Sequence, residues 1–265
     1  MSQTGDSLPQ LVSIMRRLLA PDGCPWDREQ TLESLRPYVI EEAHEVVDAI
    51  DKNDLPNLRE ELGDLLLQIV FQSALAEDKL GGVFGIDDVI AGICQKMTRR
   101  HPHVFGDETA ADSKAVLARW EELKAQEKAG RGVLDGVPRS MPALLRALRV
   151  GEKAAQIGLD WPDARGPREK LDEELRELDE AVSSGDRDAI ESELGDVLFS
   201  TVSVARKHGI DPEAALRRTL ERFSARTAQV ESSLREQQLD ARTLAPAQLD
   251  ELWQAAKEAL KRADE

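Results

Sequence analysis

The sequence predicts an all-α protein built from two duplicated helical units, and three observations carry that prediction. Glu42-x-x-Glu45 and Glu61-x-x-Asp64 return as Glu174-x-x-Glu177 and Glu193-x-x-Asp196, each residue 132 positions later. Two copies in fixed register, both running through Leu-Gly-Asp into an apolar stretch, mark a repeated unit. Apolar residues elsewhere recur at helical spacing, as with Val89, Ile93 and Met97. Nothing reads as a strand: alternating Val/Ile/Thr runs are absent and aromatics make up 4% of the chain.

Taken in order, residues 11–19 read as a short amphipathic helix ended by Ala20-Pro21-Asp22-Gly23, and Cys24-Pro25-Trp26-Asp27 as a rigid turn carrying an aromatic. The first acidic hairpin follows. Its first helix is expected to start near Pro37 and run to about Ile50, and its second to span residues 56–77. A Gly-rich loop over 78–85 leads to a helix over 86–100, which His101-Pro102-His103 breaks into a loop. A last helix at about 113–128 carries Trp120-x-x-x-Lys124. Residues 130–142, rich in Gly and Pro, read as a linker between a first domain at 1–129 and a second at 143–265. The order then repeats: a helix over 144–156, a turn bearing Trp161, a second acidic hairpin over 167–207, a helix over 211–234 and a closing helix over 246–262 with Trp253-x-x-x-Lys257.

Residues three apart on a helix share a face, so each acidic pair projects two carboxylates together. The pairs are centred on Asn53 in the first copy and Gly185 in the second, both in polar turn sequences. Folding each segment there brings four carboxylates to one level of an antiparallel helix pair, roughly 12–15 Å from the turn. Residues 62–71 are apolar almost all round apart from Asp64, which predicts a largely buried helix. Buried, clustered carboxylates require a cation. Oxygen donors without Cys or His favour a hard ion, Mg²⁺ or Mn²⁺. His44 lies inside the first motif but Arg176 takes its place in the second, so it is not expected to be a ligand. Gly63 and Gly195, each mid-helix, suggest close approach of a neighbouring helix or ligand.

The net charge of −16 argues against a general nucleic-acid binder, and an anionic ligand would need a metal and well-placed cations. Two cysteines make no disulfide framework, no signal-peptide core or membrane-length apolar run is seen, and a soluble cytoplasmic protein is expected. The cations are present in both halves. Lys96 and Arg100 precede Trp120 and Lys124 in the first; Arg222 and Arg226 precede Trp253 and Lys257 in the second. Each pair is spaced i, i+4, so two groups share a helical face. Paired cations beside a metal suit a polyphosphate, and a neighbouring Trp could stack on a base.

These segments resemble the MazG family of nucleoside triphosphate pyrophosphohydrolases in its two-domain form. The resemblance rests on Cys24-Pro25-Trp26-Asp27, Glu41-Glu42-Ala43-His44-Glu45, residues 60–66, residues 99–105, Asp135-Gly136-Val137-Pro138 and the second acidic hairpin. It implies four-helix cores completed by dimerisation, and Mg²⁺-dependent hydrolysis of a broad range of NTPs and dNTPs, ATP included, to nucleoside monophosphate and pyrophosphate. Nucleotide-pool housekeeping is the expected role. By motif position Glu174, Glu177, Glu193 and Asp196 would be the metal ligands of the second, catalytic domain, with Glu173 as candidate base beside them. Lys170, Arg222, Arg226, Trp253 and Lys257 form the candidate substrate-binding set. Glu42, Glu45, Glu61, Asp64, Lys96, Arg100, Trp120 and Lys124 are the first-domain equivalents, and Glu41 matches Glu173. Arg222 falls where the family often has Lys, and Ala189 where related chains can carry one. The rivals are a carboxylate-bridged di-iron bundle, which expects His three residues after a ligand Glu where Glu42 and Glu45 are followed instead by Glu45 and Asp48, and a non-catalytic metal-binding helical scaffold.

Overall fold

The computed structural model describes the chain except residues 1–6, 80, 110, 114, 117–118, 121–122, 124–126, 128–129, 131 and 264–265. The fold is all-α, and no strand occurs among the described residues. The chain divides into two compact units, Met1–Ala129 and Gly130–Glu265, so residues 130–142 go with the second unit. The first contains α1 (Ser7–Leu19), α2 (Pro25–Glu29), α3 (Leu32–Asp51), α4 (Leu55–Lys79), α5 (Ile86–Arg100) and α6 (Pro102–Phe105). The second contains α7 (Ala143–Gln156), α8 (Arg165–Ser184), α9 (Arg187–Lys207), α10 (Pro212–Glu236), a 3₁₀ turn at Ala241–Thr243 and α11 (Pro246–Ala263). No described helix is long and apolar enough to cross a membrane.

The acidic hairpins are α3–α4 and α8–α9, and each closes where the symmetry of its carboxylates places the turn. In the first, Asn53 takes a left-handed conformation at φ 53°, and Asp54 Oδ1 accepts the Asn57 N–H at 3.1 Å to open α4. In the second, Gly185 turns the chain at φ 73°, and Asp186 Oδ1 accepts the N–H groups of Asp188 and Ala189 at 3.0 and 3.3 Å. These are side-chain caps on helix starts that would otherwise leave backbone donors unmet.

Two expectations about elements are corrected. Helix α3 starts at Leu32 and not near Pro37, because Thr31 and Ser34 form a reciprocal capping box with bonds of 3.2 and 2.9 Å. That cap and the buried Leu35 outweigh the single hydrogen bond that Pro37 removes inside the helix. The His101–His103 segment is not a loop: Pro102 opens the short helix α6, with His101 as its N-terminal neighbour.

The core of the first unit gathers Met15 from α1, Leu35 from α3, Val70, Phe71 and Leu75 from α4, and Ile86 from α5. It sits at the end of the hairpin away from the turn, so the carboxylates lie between core and turn. In the second unit Leu148, Pro167, Val202 and Ala256 are buried. Asp160 ties the turn before α8 to the end of α9. Its Oδ1 pairs with Arg206 Nη2 at 2.5 Å and its Oδ2 with Lys207 Nζ at 2.8 Å. Next to this clamp the Trp161 ring lies on Gly166, where an added Cβ would stand 2.1 Å from the indole Cδ1, so only glycine fits.

The expectation of a buried helix over residues 62–71 is corrected in half. Gln68, Val70 and Phe71 are buried, but Leu62, Leu66 and Ile69 are 40–50% exposed, as are Leu194, Leu198 and Phe199 of the second hairpin. Short flanking helices cover one side of a two-helix hairpin and leave the other. Nothing approaches within 4 Å of the Cβ position at Gly63 or Gly195, which lie on that open side, so neither marks a close contact inside its unit.

Candidate metal and phosphate sites

Each hairpin brings three carboxylates together. One carboxylate oxygen each of Glu42, Glu45 and Glu61 lie within 4.8 Å of one another, and the same holds for Glu174, Glu177 and Glu193. The fourth predicted member, Asp64 or Asp196, stays outside that radius. Asp64 is half-buried and near enough to act on Glu42; Asp196 is exposed, against the buried setting expected for it. His44 is exposed and belongs to neither group.

Crowding sets the electrostatics of the first cluster. Burial raises the Glu42 carboxyl above its ordinary range, and the charges of Asp64, Glu45, Glu61 and Glu41 raise it further. Glu61 is raised by burial and then by Glu45. The second cluster contains a built-in cation. Lys170 Nζ lies 2.8 Å from both Glu173 Oε1 and Glu174 Oε1. Its hydrogen bonds to Glu173 and Glu174 hold the ammonium above its usual range, and its bond to Glu174 holds that carboxyl down. Glu177 is pushed up through its hydrogen bond with Glu174. Lys170 therefore sits on the carboxylates and not with the other candidate substrate-binding residues. Glu174 is the buried member, only 5% exposed. Three carboxylates at this spacing, with no cation paired to them among the described residues of the first unit and one lysine offsetting them in the second, fit a hard divalent cation held by oxygen.

The other cations gather on different helices. In the second unit a cavity of about 350 Å³ is lined by Arg222, Ala225 and Arg226 of α10 and by Lys257, Leu260 and Lys261 of α11. Arg226 Cζ lies 5.9 Å from the Trp253 ring, which packs on Phe223 at 5.1 Å. Arg222 bonds Thr219, and among the described residues no carboxylate pairs with Arg222, Arg226, Lys257 or Lys261. Lys261 escaped the sequence reading. Its signal was present: Trp253, Lys257 and Lys261 continue one i, i+4 stripe. No hydrogen bond or ion pair among the described residues joins this pocket to the carboxylates of the same unit.

In the first unit Arg100 Cζ lies 5.3 Å from the Trp120 ring, and His101 packs edge-on against that ring at 4.9 Å. Lys96 is exposed. Lys124 lies outside the described residues. Both Arg99 and Arg100 close on Glu127, a partner that the sequence reading did not single out.

Comparison with known proteins fits this architecture. The model of the MazG nucleotide pyrophosphohydrolase domain matches residues 30–105 and again 167–231, taking in both hairpins. The chain belongs to that family. The nucleoside triphosphate pyrophosphohydrolase/pyrophosphatase MazG of Thermotoga maritima is 43% identical over 259 residues, covering 97% of this chain and 98% of its own. The nucleoside triphosphate pyrophosphohydrolase of Escherichia coli K12 is 42% identical over 260 residues, 95% of this chain and 97% of its own. Among solved structures, a mazG-related protein from Thermotoga maritima is 31% identical and covers 44% of this chain and 97% of its own, with a TM-score of 0.38.

Proposed function

We propose that this enzyme hydrolyses nucleoside triphosphates, ATP among them, to nucleoside monophosphate and pyrophosphate with Mg²⁺, and that the second unit does the work. The observation that carries this reading is the pairing, in a chain of net charge −16, of an all-carboxylate cluster with a basic pocket free of carboxylates. Glu174, Glu177 and Glu193 would hold the metal, with Asp196 at their edge. What bound Mg²⁺ supplies is neutralisation of triphosphate charge and Lewis-acid polarisation of a phosphoryl oxygen. Glu173, held by Lys170 beside the cluster, is the base that takes the proton of the attacking water. Arg222, Arg226, Lys257 and Lys261 bind the phosphate oxygens and stabilise the charge that develops on the leaving pyrophosphate. Trp253 supports Arg226 and offers an aromatic face to the base.

The reading extends to a cytoplasmic homodimer acting on a broad range of NTPs and dNTPs in nucleotide-pool housekeeping. The open apolar stripes of the hairpins are the surfaces a second copy would cover. The test is pyrophosphate release from mixed NTPs with Mg²⁺ and with EDTA. Release with Mg²⁺ that chelation abolishes supports the reading; no release from any NTP at millimolar Mg²⁺ sinks it.

A further inference from the structure

The two units share the arginine-on-tryptophan pair but differ in what occupies the arginine. In the first, Glu127 uses both carboxylate oxygens. Its Oε1 accepts from Arg99 Nη2 at 2.6 Å, Arg99 Nε at 2.8 Å and Arg100 Nε at 3.3 Å, while Oε2 accepts from Arg100 Nη2. Arg100 is drawn in to 12% exposure and Glu127 to 24%. Two guanidinium groups closing on two oxygens is the way arginines receive a phosphate. Counting seven residues on from each tryptophan, the place of Glu127 in the first unit is that of Leu260 in the second. Arg99, one residue before Arg100, corresponds to Ala225, one before Arg226. The ion pair of the first unit is thus exchanged as a pair for two small or apolar side chains. Ala225 and Leu260 line the cavity whose four cations have no carboxylate among them.

We infer that Glu127 is an internal stand-in for phosphate: it fills the first unit's arginine seat, so that this unit takes a polyphosphate only when Glu127 withdraws. A carboxylate tethered on the same unit competes at the millimolar effective concentration of an intramolecular group, which an incoming triphosphate must overcome. The arginines hold the Glu127 carboxyl down to about 2, so the plug stays charged throughout the neutral range. The inference rests on the reading above only in taking the second unit's pocket as the open version of the same seat.

The experiment uses full-length chains and inorganic tripolyphosphate as probe, so that binding is read without hydrolysis. In a background carrying Arg226→Ala and Lys257→Ala to weaken the second pocket, Glu127→Leu and Glu127→Gln are compared by calorimetry. Each should bind tripolyphosphate at least tenfold tighter than the background, and adding Arg100→Ala should remove the gain. In the otherwise native chain, Leu260→Glu should raise KM for ATP tenfold or more, while the uncharged Leu260→Gln should raise it far less. Circular dichroism confirms the fold of each variant. Unchanged affinity in both Glu127 variants overturns the inference, as does an equal effect of Glu and Gln at position 260. Failure of the native chain to release pyrophosphate would overturn the proposed reaction and leave the tripolyphosphate result to decide the plug alone.

Discussion

Glu193 and Glu61 occupy matching places in their clusters, yet they should differ in what they contribute. Removing one metal-binding charge from the working site costs about 4 kcal/mol of transition-state stabilisation, roughly a thousandfold in rate. Glu193→Gln is therefore expected to remove most pyrophosphate release, with Asp196→Asn close behind. Glu61→Gln and Asp64→Asn should cost far less, since the first unit's arginine seat is already filled by Glu127. Rates for the four single variants decide this, and loss confined to the first-unit pair would reverse the assignment. Metal should also be visible in stability. Glu42 and Glu61 are both raised by burial and by their neighbours' charges, a repulsion that a bound cation relieves. Millimolar Mg²⁺ should raise the melting temperature; no rise would remove the metal site from the account.

At the scale of elements, the Asp160 clamp fixes how the Trp161 turn meets the end of α9. Its three side chains are each 13–21% exposed, so replacing the carboxylate leaves two cations poorly paired. Asp160→Asn is expected to destabilise the second unit by about 2 kcal/mol, discounted for partial exposure, or roughly 4–8 °C in Tm. The sign with pH follows from linkage. Hydrogen bonds from Arg206, ahead of those from Lys207, hold the Asp160 carboxyl below its unfolded value of 3.8. The stabilisation is complete above that pH and fades as pH falls below it, so the deficit of the variant should shrink on acidification. A deficit that grows on acidification would rule the clamp out. The helices and both hairpin turns were legible in the sequence because their signals are local: Asp186 caps, Gly185 turns, Pro212 opens α10. The start of α3 differs from the expectation because Thr31 and Ser34 make a weaker written signal than Pro37, although their reciprocal bonds cap the helix five residues earlier. The triads Glu42, Glu45, Glu61 and Glu174, Glu177, Glu193 were legible from spacing. The arrest of Arg100 by Glu127 was not, since it depends on two separate segments meeting.

For the whole molecule, the exposed apolar stripes are the surface on which the proposed dimer is tested. Leu62, Leu66 and Ile69, with Leu194, Leu198 and Phe199, stand open along both hairpins. Burying them on association gains about 25 cal/mol per Å² of apolar surface. Light scattering should give a dimer at micromolar concentration, and Leu66→Asp combined with Leu198→Asp should shift it toward the 29.4 kDa of one chain. A native chain already at 29.4 kDa would refute the dimer. These positions were read as buried because an apolar sequence says that a face is to be covered, not by which molecule. A second copy on this face would also meet Gly63 and Gly195, which have no neighbour within 4 Å in their own units.

In the first unit, the core and the carboxylate cluster lie at different heights of the same hairpin, with Met15, Leu35 and Leu75 far from the Asn53 turn and Glu42, Glu45 and Glu61 between. Apart from the small buried Ala49 beside the turn, such a hairpin is fastened at its core end. Its backbone amides near the core should exchange with solvent deuterium as slowly as global opening allows, while those from Glu45 to Glu61 exchange early through local fraying. A cation gripped by α3 and α4 together is a second fastening, and it should silence that fraying without touching the core amides. A cation in the first unit would then serve as the rivet that holds its hairpin shut, whatever the second unit's metal does in hydrolysis.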